Sequence, residues 1–198
     1  MPKPEGPVAR RTDYVFDVGE HREALDLVRA FHYAKGAANT STVRTMMRRA
    51  SDGVAVGAAL WMPPTARAAK GLAARLLGDA SLHKRVLVLS RLVVAPGEPQ
   101  NAAGMLLGHS TREVVAAKRW ALLATYADEA QGHQGTIYRA TGWTFDGFTV
   151  PTRTWWLNGR QVSAFAARPR SIAEMTSLGA VSVSSRKRRF VKRLSIED

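Results

Sequence analysis

Cysteine is absent from this 198-residue chain. That excludes disulfides, thiolate nucleophiles and zinc–thiolate sites. Long hydrophobic runs are missing as well, and none approaches the ~20 residues needed to cross a bilayer. The opening stretch MPKPEGPVARRTD has no apolar segment of the kind a secretory signal requires. A soluble protein with a cytoplasmic location and no membrane partner is expected. Acid is also scarce: 16 Asp and Glu stand against 29 Lys and Arg, a formal net charge of +13. Such a surplus points to a polyanionic partner, because neutralising phosphates releases counterions. Double-stranded DNA is the favoured partner, against the plainer reading of a protein that is merely basic.

What is present is enough apolar residue, 45% of the chain, to bury one core. Residues 1–12, rich in Pro, Gly and Arg, read as a flexible N-terminal arm. A single catalytic domain is expected over 13–165, with a basic C-terminal extension over 166–198. Tyr14–Val18 reads as a strand, and Glu20–Tyr33 carries a helical stripe of Ala24, Leu27, Val28 and Phe31. Gly36 is placed to end that helix. Thr42–Met47 and Gly53–Met62 form a hairpin turned at Asp52-Gly53. Thr65 caps a helix that closes at Gly78. Val86–Val94 is nearly continuous in apolar residues, as a central strand is. Asn101 caps a short helix ending at Gly108, and Ser110–Glu113 is a capping box that opens another, running to Trp120. Ala121–Asp128 reads as a strand, 129–142 as a loop with one helical turn, and Trp143–Val150 and Trp155–Leu157 as strands. The order implies an α/β fold, a mixed central sheet flanked by helices in one domain, as in the GNAT acyltransferase architecture.

Several short motifs bear on chemistry. They are Phe31-His32-Tyr33, Ser90-Arg91-Leu92-Val93-Val94, Gly108-His109-Ser110-Thr111-Arg112, Tyr126-Ala127-Asp128, and the run from Gln131 through His133 and Tyr138 to Trp143. Together they resemble the phage-encoded Mom family over roughly residues 20–160. That resemblance implies a GNAT-like protein that converts the exocyclic amine of adenine in duplex DNA to a carbamoylmethyl (acetamido) derivative, protecting phage DNA from restriction.

Each candidate has a plainer reading beside the functional one. Arg91, a charge in an apolar strand, clamps donor, substrate or DNA, or is simply ion-paired at the strand's end. Asp128, at a strand's C-terminal edge, takes a proton from the adenine amine or orients the base, or caps a turn. Tyr126 shares its face and stacks on a base or packs. The resemblance gives weight to Tyr138, where GNAT enzymes often place a Tyr general acid, and to His32 and Tyr33, where the first helix borders the acceptor site. His133 is a loop residue with ligand or phosphate-contact potential. Ser110 is included for its family motif and is otherwise an N-cap. The five Trp read as core or sheet-face residues before base-stacking ones.

Arg186, Lys187, Arg188, Arg189, Lys192 and Arg193 put six basic residues in eight. They form either a solvated tail or a phosphate-contacting arm. His32, His133 and Asp128 are available to a metal, including a redox metal such as iron, although no spacing is diagnostic. The turn Pro96–Gly104 keeps Gln100 but lacks the spaced glycines with which GNAT enzymes hold a pyrophosphate, and it adds Glu98. The donor is thus open between acetyl-CoA, a related compound and something else. Two rival functions stand: an ordinary GNAT N-acetyltransferase acting on a protein or small amine, and a non-catalytic DNA-binding protein on the same scaffold. The oligomeric state is open, a homodimer included.

Overall fold

A computed structural model describes residues 8–33, 41–162 and 170–195. Gly36, expected to end the first helix, lies outside these residues. Ten strands and five α-helices are described. Strand β1 (Tyr14–Val18) leads through Gly19 into α1 (His21–Phe31), followed by the hairpin β2 (Val43–Arg49) and β3 (Ala55–Met62). Helix α2 (Ala66–Leu77), β4 (Val86–Val94), α3 (Ala102–Ala116) and β5 (Leu122–Asp128) come next. Then follow α4 (Thr136–Ala140), β6 (Thr144–Phe148), β7 (Thr152–Leu157), β8 (Arg160–Val162), α5 (Ile172–Ser177), β9 (Val181–Ser185) and β10 (Lys187–Arg193).

Seven strands make the main sheet in the order β1-β2-β3-β4-β5-β10-β6. The β4–β5 pair is parallel and every other neighbouring pair is antiparallel. Parallel neighbours need a crossover, and α3 supplies it. Leu106, Leu107 and Val114 of α3 pack on Met47, Trp61, Leu87, Leu123 and Phe190. Helix α1 lays Ala24 and Val28 on Met46, Ala58, Leu60 and Val93. Helix α2 sets Leu72 and Ala73 on Val86, Val88, Leu122, Ala124 and Val191. Gly19 lets the β1–α1 turn pass so close to Met46 that a Cβ there would stand 1.9 Å from its Cγ.

Three expectations need correction. Helix α3 is continuous through Gly108, so no second helix opens at Ser110. That hydroxyl donates to Leu107 O at 3.2 Å inside the helix rather than capping it. Asn101 stands at the start of α3 without capping it, because its side chain pairs with both main-chain groups of Ala9 at 2.8 Å. Most consequential, the basic C-terminal run is not an extension. It is β10, hydrogen-bonded between β5 and β6, with Phe190 fully buried. Between β6 and β10 the chain builds a second sheet, β8-β7-β9, whose own small core is Trp155, Met175 and Ala180. The expected boundary at residue 165 falls inside this insertion.

Candidate active site

The site originates in a parting of strands. The pairing of β4 with β5 stops at Leu89↔Thr125, although both strands continue. On its other side β4 carries an irregularity against β3, where Leu60 faces Arg91 and Trp61 faces Leu89, so Ser90 is an extra residue. Its hydroxyl donates to Leu60 O at 2.9 Å, and Arg91 donates to Ser90 O at 2.6 Å. Such a bulge re-aims the neighbouring side chain.

The gap between the strands is a cleft of about 500 Å³. It is walled by His32 and Tyr33 after α1, Ser90 and Arg91 on β4, Thr125 and Tyr126 on β5, and His133 and Tyr138 from the segment leading into α4. Strand alternation sends Thr125 and Tyr126 to opposite faces of the sheet. Thr125 is hydrogen-bonded to Tyr138 on the α4 side, whereas Tyr126 packs near the α2 cluster on the other. The cleft therefore opens toward both layers.

Electrostatics bind these side chains into one unit. Burial raises the Tyr33 phenol above its ordinary value, the nearby Asp128 raises it further and Arg91 partly opposes. Burial likewise lowers the Arg91 guanidinium, with Tyr33 opposing. Tyr138 is raised by burial, partly offset by Thr125, so its hydroxyl stays protonated near neutral pH. Tyr126 is raised mainly by burial. Asp128 accepts from Ala130 N at 3.1 Å and faces Lys187 Nζ at 3.6 Å. Its turn-cap reading is thus realised.

Adjoining the cleft are two further hollows. One, of about 320 Å³, shares Tyr33 and Arg91 with it and contains Asp128, Gln131, Lys187 and residues of the second sheet. The other, of about 490 Å³, shares Thr136 and Ile137 and lies between the starts of α3 and α4, with Gln100, Asn101 and Gly104 on its wall. No Lys or Arg lines it. Glu98 does not face it as a repelling charge: its carboxylate, 8% exposed, accepts from the Tyr14 hydroxyl at 2.6 Å and from Arg49 Nε at 2.9 Å.

Seven expected residues, His32, Tyr33, Arg91, Tyr126, Asp128, His133 and Tyr138, are thus brought to the cleft or its neighbour. Ser110 is not: it is buried within α3. Among the basic residues of the run 186–193, Arg186 and Arg188 pair with Glu129 at 2.9 and 2.8 Å, Arg189 with Asp146 at 2.5 Å and Lys187 with Asp128. The free phosphate-seeking arm is corrected accordingly. Only Lys187 of this run reaches the site, while Lys192 and Arg193 border a separate surface hollow. For the expected metal, no group of three or more His, Asp or Glu among the described residues is placed to hold an ion. The ring of Tyr33 lies against both imidazoles, 4.4 Å from His32 and 5.6 Å from His133. Sequence reasoning missed Thr125, the partner of Tyr138, and all of the second sheet except the Trp155–Leu157 part of its central strand. The pattern Ser171–Glu174, now a capping box opening α5, was a readable signal for part of it.

Solved structures share this fold. A GNAT family acetyltransferase from Elizabethkingia anophelis with acetyl-CoA bound is 11% identical, with a TM-score of 0.52 over 92% of this chain and 99% of that one. The ribosomal-protein-S18-alanine N-acetyltransferase of Escherichia coli is 10% identical, with a TM-score of 0.54 over 93% and 96%. The Vibrio cholerae spermidine N-acetyltransferase in complex with CoA and spermine is 9% identical, with a TM-score of 0.56 over 94% and 98%. At such identities the likeness establishes the GNAT fold and nothing of substrate. A comparison with curated proteins finds no match. The Mom protein family model, in contrast, matches residues 13–190, from the first strand to the middle of β10, and the chain belongs to that family.

Proposed function

We propose that this protein is a transferase that modifies the exocyclic amine of adenine in duplex DNA, giving the carbamoylmethyl derivative. The observation that carries the reading is the convergence of Tyr33, Arg91 and Tyr138 on one cleft, with Asp128 in the hollow that shares Tyr33 and Arg91 with it, in a chain of the Mom family. The +13 charge supports a nucleic-acid substrate independently. In duplex DNA the adenine amine is held in a base pair, so the base leaves the stack to react.

Asp128 accepts a proton from the amine as its nitrogen bonds to the methylene carbon of a carbamoylmethyl donor, and the bond from that carbon to its leaving group breaks. Tyr138, protonated at neutral pH, gives its proton to that leaving group. Arg91 steadies negative charge developing in a partly dehydrated site, where such interactions are strengthened. Gln100 and Thr136 flank the hollow between α3 and α4, the entry for that donor; acetyl-CoA itself would deliver an acetyl group in place of a carbamoylmethyl one. Phosphate recognition there falls to main-chain amides, since the wall offers no cation. No step is assigned to a metal.

The test is nucleoside mass spectrometry of plasmid DNA from cells producing the protein. A modified deoxyadenosine supports the reading. Unmodified deoxyadenosine in the presence of folded, soluble protein overturns it. Acetyl transfer to spermidine or a peptide, indifferent to DNA, favours the ordinary acetyltransferase instead.

A further inference from the structure

The hollow beside the cleft is built largely by the second sheet, and the reaction chemistry above uses its Arg91 and Asp128 but not the side chains that the second sheet contributes. Trp155 anchors that sheet, 9% exposed against Met175 and Ala180. Trp156, the next residue on β7, points to the opposite face and is only half-buried. Both residues contribute to the lining of the hollow, together with Tyr33 from the end of α1. Flat aromatic surfaces there are joined by polar edges, Asp128, Gln131 and Thr154. Arg153, exposed, and Lys187 provide positive charge.

This combination of stacking faces, acceptors for an amine and flanking cations matches an unstacked nucleobase with its adjoining phosphate. The volume of about 320 Å³ is at the small end for ligand pockets and suits a single base rather than an elongated donor. Its position agrees. It opens onto the cleft through Tyr33 and Arg91, while the hollow between α3 and α4 opens onto the same cleft through Thr136 and Ile137.

We infer that the hollow between the main sheet and the β8-β7-β9 insertion is the nucleobase pocket, with Trp156 as its stacking platform and Arg153 as a contact to the neighbouring phosphate. The inference rests on the DNA reading and assigns it a place. Trp156 then positions the base so that its amine faces Asp128, at the mouth of the cleft.

The experiment uses the full-length protein and two single-stranded oligodeoxynucleotides, one carrying 2-aminopurine in place of a central adenine and one abasic there. Fluorescence anisotropy of an end label gives both affinities, and 2-aminopurine emission reports stacking. Wild-type protein is expected to prefer the base-bearing strand about tenfold, as stacking of one base supplies, and to quench its emission. Trp156→Ala should abolish the preference and the quenching but retain binding to the abasic strand, and Trp156→Phe should restore much of both. Arg153→Ala should weaken both strands equally. If Trp156→Ala keeps the preference and quenching, the pocket assignment is wrong and the DNA reading stands. If wild type binds neither strand nor a duplex of the base-bearing one, the DNA reading fails and takes the pocket with it; if it binds that duplex alone and leaves the 2-aminopurine emission unchanged, the pocket fails by itself.

Discussion

At the scale of single residues, the site depends on groups whose ionisation the fold has shifted. Asp128→Asn keeps the hydrogen bond from Ala130 N but removes the base, so the modified nucleoside should fall at least about 10²-fold with the fold unchanged by circular dichroism. All four tyrosines, Tyr14, Tyr33, Tyr126 and Tyr138, lie above the ordinary phenol range, in each case mainly through burial. A raised folded value means the folded state holds its proton more tightly than the unfolded one. That contribution to stability is fully present below pH ~10 and is lost as pH rises toward the folded values. Titration of tyrosinate absorbance should therefore show little ionisation near pH 10 in native protein, and a cooperative rise when the chain unfolds at higher pH. An ordinary titration of all four phenols in folded protein contradicts the burial described.

These same residues show how far the sequence reaches. Arg91 and Asp128 were visible as polar anomalies in or at the end of apolar strands, whereas Tyr138 drew its weight from the family resemblance. Ser110 misled because a Ser three residues before a Glu resembles a cap at any position, and only the uninterrupted packing of Leu106, Leu107 and Val114 reveals a helix running through it. Thr125 gave no sign: a threonine in a strand is ordinary, and its bond to Tyr138 depends on a loop folding back over the sheet.

At the scale of elements, β10 is the decisive correction. A run with six cations in eight reads as solvent-exposed because its charge hides the apolar pair Phe190-Val191, yet the acids Asp128, Glu129 and Asp146 hold four of those cations. Phe190→Ala should destabilise the protein by about 3–5 kcal/mol in urea unfolding, as large core truncations do. Deleting residues 186–198 removes an internal strand from the main sheet and should leave no cooperative unfolding transition. A disposable tail would leave the midpoint unchanged. Gly135 makes the same point locally. Its φ of +74° and the Phe190 ring, 2.1 Å from any added Cβ, predict that Gly135→Ala disturbs the wall of the cleft without touching a reacting group. The strands before residue 150 were legible because their patterns are apolar and regular. The β8-β7-β9 insertion is short and mostly exposed, so little of its pattern stands out.

At the scale of the whole molecule, the net charge of +13 remains the feature least dependent on any single contact. Duplex DNA binding should weaken about 10³-fold or more between 50 and 200 mM salt if six or more phosphates are engaged. Because most of the β10 cations are already in ion pairs, neutralising Arg188 or Arg189 should lower stability more than it lowers the salt slope. The fold places two hollows beside a single cleft, and the proposed reading assigns one to the donor and the other to the base, as a transferase needs and a passive DNA binder does not. The most direct test is mass spectrometry of nucleosides from plasmid DNA recovered from cells producing either the wild-type chain or Asp128→Asn. The wild type should yield a deoxyadenosine bearing a carbamoylmethyl group in place of an amine hydrogen, and Asp128→Asn should yield almost none. Unmodified deoxyadenosine from cells rich in folded wild-type protein, or equal product from both chains, would contradict the account.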